Sequence, residues 1–204
     1  IGWLLAVALG LRRPQPERRR VAVGLPHLTF GLAMAALLLG VGVKIVADYR
    51  GGFQFHSTGR TVVSAEHRFY ASVEDEIELI GYDAPTSETQ PGEIVPVVLY
   101  WRAVVEPTRN YQVYVHIRDV SGQLWGQSDK VNPANFPTTR WSVEKYVRDE
   151  HTVVVAPDTP PGEYQLFAGL WDHITGERFV ALDERDWLLG ESAPLPVAIE
   201  VRER

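Results

Sequence analysis

Two stretches of the sequence place aromatic rings and basic side chains at alternate positions. Tyr100 and Arg102 alternate in VVLYWRA. Tyr114, His116 and Arg118 alternate in YQVYVHIRD. Alternate residues of a β-strand share one face, so we expect these side chains on one sheet face. Aromatic rings cover the C–H face of a sugar while Arg and His bond its hydroxyls, so the pattern predicts a carbohydrate-binding surface. The alternative is cross-strand pairing, or packing beneath a loop or the other sheet.

Tryptophan side chains in loops are the second candidate group. Trp141 lies in the long loop 130–145, and an exposed indole there would stack on a glycan or lie at a membrane interface. A buried indole would instead pin the loop to the core. Trp125, Trp171 and Trp187 lie in or beside other loops and have the same two interpretations. The residues predicted to bind a ligand are Tyr100, Arg102, Tyr114, His116, Arg118 and Trp141.

Carboxylate and imidazole side chains raise the question of a metal site or a catalytic triad. Two groups contain the relevant types: Asp149, Glu150 and His151, and Asp172 with His173. No HExxH or paired-His spacing accompanies them, so no metal site is predicted. A calcium ion held by loop carboxylates is the open alternative. Asp172 is more simply explained as a hairpin-turn residue.

A Ser-His-Asp triad can be drawn from Ser128, His151 and Asp149. The sequence around the serine lacks the nucleophile-elbow context that would support it. The chain has no cysteine, which excludes thiolate nucleophiles, disulfides and Cys-ligated metal centres. We therefore predict no catalytic residue and no cofactor. An independent hydrolase ranks last, because it would require two carboxylates at the glycosidase separation.

The segments that must position these side chains have the pattern of β-strands. The strongest run, residues 94–105, alternates Val95, Val97, Leu99, Trp101 and Ala103 on one face. Seven to nine short strands, separated by Pro and Gly turns, follow one another without a helical period. This pattern favours an all-β fold, an antiparallel immunoglobulin-like β-sandwich over residues 67–204. Tyr164 in PPGEY is placed for a tyrosine-corner bond.

An apolar segment precedes the β region. Residues 21–43 contain no charged side chain, and about 20 apolar residues cross a bilayer as a helix. We predict a transmembrane helix over 21–47 and a linker over 48–66. The alternative, a buried helix of a soluble core, usually keeps a polar stripe. Residues 1–11 are apolar but short, and we interpret them as the end of another transmembrane helix rather than a signal-peptide core.

Charge predicts how the chain is oriented. The loop 12–20 contains five arginines, and short Arg-rich loops stay in the cytoplasm. The C-terminal body is then outside the cytoplasm. Residues 1–50 hold seven basic and two acidic residues, whereas the remainder holds thirteen basic and twenty-four acidic residues. An acidic body is a poor partner for phosphate backbones, so no nucleic-acid partner is expected.

A resemblance to a known family rests on two stretches, VVLYWRAVVEPTRNYQVYVHIRDVSGQLWGQSD and PTTRWSVEKYVRDEHTVVVAPDTPPGEYQLFAGLWDHITGER. Residues 77–201 resemble the C-terminal extracytoplasmic domain of bacterial polytopic mannosyltransferase-like membrane glycosyltransferases. The shared pieces are Tyr100-Trp101-Arg102, Val115-His116, Pro137-Thr138 with Trp141, Asp149 with His151, and Pro160-Pro161-Gly162 with Tyr164. The catalytic acid of that family lies in an early loop outside these 204 residues, so no catalytic residue is carried over.

The resemblance implies a non-catalytic accessory module of an enzyme that transfers sugar from a lipid-phosphate donor. The alternative is a stand-alone, membrane-tethered binding or scaffolding module with carbohydrate as a candidate ligand. The expected partners are the lipid bilayer, a glycan or lipid-linked sugar, and other transmembrane helices of the same chain. The expected location is the cell membrane.

Overall fold

The computed structural model describes residues 25–49, 54–56, 65–85, 88–143 and 145–203. The chain divides into two units between Val43 and Lys44. The first contains most of the apolar helix, and the second contains the last six helical residues and all the described strands. The predicted helix end at 1–11 and the predicted Arg-rich loop at 12–20 lie outside the described residues.

Helix α1 runs from Leu25 to Tyr49 and includes most of the predicted apolar segment. At 1.5 Å per residue its 25 residues extend about 37 Å, which exceeds the roughly 30 Å of a bilayer core. Its stretch Thr29–Val46 has a mean hydropathy of 2.0, and none of this stretch is buried by the chain itself. By length and composition, α1 is able to cross a membrane.

The β body contains twelve strands within the described residues. In chain order they are β1 (Gln54–His56), β2 (His67–Val73), β3 (Ile77–Asp83), β4 (Glu88–Thr89), β5 (Ile94–Ala103), β6 (Gln112–Arg118), β7 (Leu124–Lys130), β8 (Lys145–Val155), β9 (Gly162–Trp171), β10 (Ala181–Leu182), β11 (Leu188–Gly190) and β12 (Ala193–Val201). Two 3-10 turns, Pro133–Asn135 and Thr138–Arg140, lie between β7 and β8. The all-β prediction for this region is confirmed.

The described strands form one hydrogen-bonded sheet in the order β11-β10-β2-β3-β5-β8-β7-β6-β9-β12-β4, with β1 added to β8. All pairs described are antiparallel except β12 with β4. Strand β8 pairs with β5 along most of its length but with β7 only at Gly126 and Gln127. The division into two immunoglobulin-like sheets stays a prediction.

Alternation along the strands produces one large apolar core. The five inward residues predicted for β5 are buried, and they belong to the same core as Val113, Val115 and Ile117 of β6. Leu166 of β9 and Ile199 of β12 complete that core from neighbouring strands. The sheet therefore curves around its own inner face, and every strand has an outer face turned away from the core.

The segment predicted as a linker contributes to the sheet. Residues Gln54–His56 form β1 and pair antiparallel with the first three residues of β8. Helix α1 also extends to Tyr49, two residues beyond its predicted end. The first strand begins only five positions after the helix ends.

Two local contacts join loops of the β body, and the first of them was predicted. The Tyr164 hydroxyl donates a hydrogen bond to the Pro160 carbonyl at 2.7 Å, as the tyrosine-corner prediction required. The Thr138 hydroxyl accepts from the Tyr111 backbone N–H at 2.9 Å and donates to the Arg109 carbonyl at 2.8 Å. Thr138 is fully buried, so it joins the loop before β6 to the loop before β8.

We expect Thr138→Val to destabilise the protein by about 1–3 kcal/mol, because it leaves a buried N–H and a buried carbonyl without their partner. At this chain length, that loss lowers the thermal midpoint by about 2–4 °C per kcal/mol. The measurement is thermal unfolding of the full chain in detergent, followed by circular dichroism. Thr139→Val is the matched control because Thr139 is exposed. Equal midpoints for the two variants would contradict the assignment.

Candidate functional site

The predicted ligand-binding residues of the two strands are not adjacent in the sheet. Tyr100 and Arg102 lie on the outer face of β5, and Tyr114, His116 and Arg118 lie on the outer face of β6. Strands β8 and β7 separate β5 from β6. The structure therefore divides the predicted surface into two groups with different surroundings.

The β5 group is engaged in cross-strand pairs. The Tyr100 hydroxyl donates to Asp83 Oδ2 at 2.7 Å, and its ring packs edge-on against Tyr146. Arg102 Nη2 lies 2.6 Å from Glu78 Oε2. Tyr100 is buried. This arrangement matches the structural alternative for these two residues, and their binding of a ligand stays a prediction.

Trp141 lies inside the core rather than at the surface. The residue is 3% exposed, and its indole N–H donates to the Phe136 carbonyl at 3.1 Å. Both residues belong to the loop between β7 and β8, so the indole pins this loop to the core. The surroundings of Trp141 therefore match the alternative interpretation, in which a buried indole pins the loop to the core.

The β6 group centres on His116, whose hydrogen bonds define its tautomer. Arg118 Nη2 lies 2.9 Å from His116 Nδ1. Because a guanidinium only donates, Nδ1 accepts, and the neutral ring carries its proton on Nε2. Burial, together with the charge of Arg118, lowers the pKa of His116 to about 4. His116 is therefore neutral near pH 7, with Nε2 3.4 Å from Asp129 Oδ1.

Tyr114 covers a glycine on the neighbouring strand. A Cβ at Gly169 of β9 would come within 2.3 Å of the Tyr114 ring, so glycine is required for this close approach. The Tyr114 hydroxyl donates to the Glu191 carbonyl. The Arg178 guanidinium lies 5.0 Å from the centre of the Tyr114 ring, within cation–π range. These contacts hold the ring in one place.

A small cavity of about 80 Å³ opens beside this group. It is lined by Tyr114, His116, Asp129, Trp171 and Arg178. The Trp171 indole N–H is buried and has no hydrogen-bond partner in the described part of the chain. Sequence reasoning did not place Trp171 and Arg178 in the site. The available signal was that Gly169 and Trp171 alternate along β9 and face the outer side of β6.

Arg118 connects the cavity with a larger groove. It contacts His116 on one side and lines a groove of about 560 Å³ on the other, together with Gln165, Pro196 and Ala198. A second open groove, about 820 Å³, shares Glu163 and Ala198 with the first. We call the outer surface of strands β6, β9 and β12, with these openings, the β6–β9–β12 face.

The three residues from which a Ser-His-Asp triad can be drawn do lie next to one another in the structure. Ser128 Oγ lies 3.1 Å from His151 Nδ1, and Asp149 Oδ2 lies 2.7 Å from His151 Nε2. The side chains of His151 and Asp149 have no exposed surface. Asp149 Oδ1 also accepts from Lys130 Nζ at 2.9 Å and from the Ala134 backbone N–H at 2.7 Å. None of the cavities described above is lined by these residues, and the cluster is a polar network centred on the buried pair His151 and Asp149.

The pKa of Asp149 records this environment. Burial alone would raise the pKa of the carboxyl, but the hydrogen bond and charge of His151 and the charge of Lys130 outweigh it. The net result is a pKa below the ordinary value for an aspartate. The carboxylate is therefore ionised in the folded protein at neutral pH.

The remaining candidate groups do not form a metal site in the described residues. No cluster of three or more His, Asp or Glu side chains there is arranged to hold a metal ion. Asp172 Oδ1 accepts from the backbone N–H groups of Ile174 and Thr175, at 2.7 and 3.2 Å. Asp172 is thus a hairpin-turn residue, as the simpler interpretation had it.

Comparisons with known proteins add a structural similarity. No family model matches this chain, and no curated protein matches it. A solved structure described as the C-terminal domain of wzt is similar at 12% sequence identity and a TM-score of 0.47. The match covers 69% of this chain and 83% of that chain. At this level the likeness carries no inference about a ligand or an activity, and the resemblance to mannosyltransferase-like enzymes is not confirmed.

We expect Asp149→Asn to destabilise the protein by about 3 kcal/mol or more at pH 7, because it removes the charge that three donors surround. The folded-state pKa of Asp149 lies below the unfolded value of about 3.9, so its stabilisation is present above that pH and is lost as the pH falls further. The difference in thermal midpoint between variant and wild type should stay constant from pH 7 to about pH 5 and should begin to narrow only below about pH 4.

Asp158→Asn is the control for this comparison, because Asp158 is an exposed loop residue on the same β body. It should unfold like the wild type at every pH. A milder variant, Lys130→Met, removes one of the three donors and should fall between the two. An Asp149→Asn midpoint equal to that of the wild type at pH 7 would show that the network does not stabilise the fold.

Proposed function

We propose that the β body is a carbohydrate-binding module, that the β6–β9–β12 face is its binding surface, and that α1 anchors it in a membrane. The observation that carries the proposal is the position of Arg118. This one side chain fixes the tautomer of His116 at the cavity and also lines the adjoining groove. Together, the cavity and the groove form a polar surface that suits an extended ligand with many hydroxyl groups.

The chemistry of the face suits a neutral glycan. Arg118 and Arg178 supply guanidinium donors, whereas Asp129 and Glu163 supply carboxylate acceptors. Around the cavity and the first groove the charges are mixed, so no single-sign field selects an ionic ligand there. Phe167 adds apolar surface, and the Arg118 guanidinium stacks 4.9 Å from the centre of its ring. Aromatic and apolar surface beside paired donors and acceptors is what a sugar ring requires.

The other outer face is less suited to this role. On β5, the Tyr100 hydroxyl bonds to Asp83 and Arg102 Nη2 bonds to Glu78 within the chain. Ala65 and Tyr146 pack against the same surface. We therefore assign binding to the β6 group of the predicted residues and a packing role to the β5 group and Trp141.

The sequence supports a more specific proposal about the membrane orientation of the β body and its role. The Arg-rich loop supports an orientation with the β body outside the cytoplasm. The family resemblance supports an accessory role beside a membrane glycosyltransferase, with the face holding a glycan acceptor or lipid-linked donor. The weak β7–β8 pairing supports a description of the curved sheet as two layers of an immunoglobulin-like sandwich. A stand-alone scaffolding module is the alternative.

Ala198→Trp should weaken glycan binding at least tenfold, because a bulky indole on this exposed β12 position fills the groove. The measurement is a glycan array with the full chain in detergent, followed by calorimetry on each glycan retained. Thr152→Trp places the same side chain on an exposed position of β8 outside this face and should bind like the wild type. No glycan retained by the wild type, or equal binding by both variants, would overturn the proposal.

The absence of cysteine allows a direct test of orientation. Asp158→Cys, in an exposed loop of the β body, should react with a membrane-impermeant maleimide in intact spheroplasts. Gln15→Cys, in the predicted cytoplasmic loop, should react only after lysis. The opposite pattern would place the β body in the cytoplasm and would exclude an extracytoplasmic ligand.

A further inference from the structure

The cavity beside His116 contains an unpaired donor at its wall. The Trp171 indole N–H is buried and has no hydrogen-bond partner among the described residues. A buried donor left unpaired costs about 1–3 kcal/mol, so such a group indicates that an acceptor is expected at that place. Trp101 also has an unpaired indole N–H, but it lies within the apolar core and lines none of the cavities found beside the outer face. Trp171 differs because its side chain lines the cavity beside His116.

The same cavity is also lined by a hydrogen-bond acceptor, the Asp129 carboxylate. Asp129 carries a half-exposed carboxylate, and a carboxylate only accepts hydrogen bonds. His116 donates toward it from Nε2 and leaves further acceptor capacity on its two oxygens. A group that fills this cavity well must therefore accept from Trp171 and donate to Asp129. A hydroxyl does both, whereas a carboxylate cannot donate and an ammonium cannot accept.

The charges around the cavity also favour a neutral polar group as its occupant. An anionic group would meet Asp129, and a cationic group would meet Arg178 and Arg118, both of which are close enough to His116 to lower its pKa. His116 itself is neutral near pH 7 because burial is the largest cause of its lowered pKa. The mixed charges leave a neutral polar group as the best occupant.

Volume limits the size of that group. The cavity of about 80 Å³ has room for roughly two or three waters, each with a share of about 30 Å³ in the liquid. A pyranose ring does not fit, but a substituent that projects from a ring does. A hydroxymethyl group projects by one carbon, so its hydroxyl enters the cavity while the ring stays outside, beside Arg118 and the groove.

We infer that the cavity lined by Tyr114, His116, Asp129, Trp171 and Arg178 is a subsite for the hydroxymethyl group of a neutral hexose. The inference rests on the proposed function, since it assigns one sugar position within the β6–β9–β12 face. Trp171 donates to the hydroxyl oxygen, and the hydroxyl donates to Asp129. Arg118 is a positioning residue, because it holds His116 in the tautomer that faces Asp129.

The test uses methyl glycosides of gluco, manno and galacto configuration, each with its 6-deoxy and 6-carboxylate counterparts. Affinities for the full chain in detergent are measured by calorimetry or by ligand-observed NMR. At least one parent hexoside should bind tenfold or more tightly than both counterparts. Trp171→Phe keeps the ring but removes the N–H, so it should bind the hexoside and its 6-deoxy analogue alike.

Two controls separate this inference from the proposed function. Trp187→Phe alters an exposed indole on the β10–β11 hairpin and should leave the preference unchanged. If Ala198→Trp abolishes glycan binding while Trp171→Phe keeps the wild-type preference, the face binds glycan and the cavity holds only water. If the 6-carboxylate binds best, the neutral-group assignment is wrong. If the wild type binds no glycoside and no glycan on the array, both proposals fail together.

An indole proton resonance gives a readout that does not depend on affinity. The Trp171 signal is assigned by its loss in Trp171→Phe, and the other five tryptophans serve as internal references. Addition of the preferred hexoside should move this resonance downfield, because the N–H gains an acceptor. The 6-deoxy analogue should leave it in place. Equal shifts with both sugars would overturn the inference.

Discussion

The β body depends on one buried carboxylate. Asp149 has no exposed side-chain surface, and an ionised carboxylate in such a place is tolerated only when donors surround it. His151 comes from the same strand, Lys130 from β7, and the Ala134 N–H from the loop that follows β7. The requirement for all three donors holds β7 and its loop against β8 at the point where direct strand pairing is shortest. The curvature of the sheet is therefore coupled to the hydrogen bonds that the buried Asp149 carboxylate requires.

That curvature decides which outer surfaces are neighbours. Because the sheet turns between β8 and β7, the outer side chains of β5 and those of β6 have different partners. Tyr100 bonds to Asp83 on its own side of the turn. His116 instead faces the open surface that β9 and Arg178 complete. Two stretches with the same alternation of aromatic and basic residues thus acquire different roles from their place in the topology.

Local pattern and long-range pairing explain which features the sequence could predict. The alternation in β5, the Tyr164 bond and the apolar helix each depend on neighbouring residues, so the sequence indicated them correctly. The pairing of Gln54–His56 with β8 depends on residues about ninety positions away, so the same region was interpreted as a linker. Trp171 and Arg178 were missed at the site for the same reason. The register of β9 against β6 brings Trp171 to this position, and the isolated bridge between Trp171 and Arg178 brings Arg178 with it.

The two histidine clusters show how similar residue types separate into structural and binding roles. His151 and His116 each contact an aspartate, and each has a basic side chain nearby. Around His151 both aspartate oxygens already accept from donors of the chain, and the side chains of His151 and Asp149 have no exposed surface. Around His116 the aspartate keeps unused acceptor capacity, and the neighbouring Trp171 keeps an unused donor. Unused hydrogen-bonding capacity next to open space is what distinguishes a recognition site from a network that is complete within the fold. This criterion, rather than residue type, is the basis on which we propose binding at the β6–β9–β12 face.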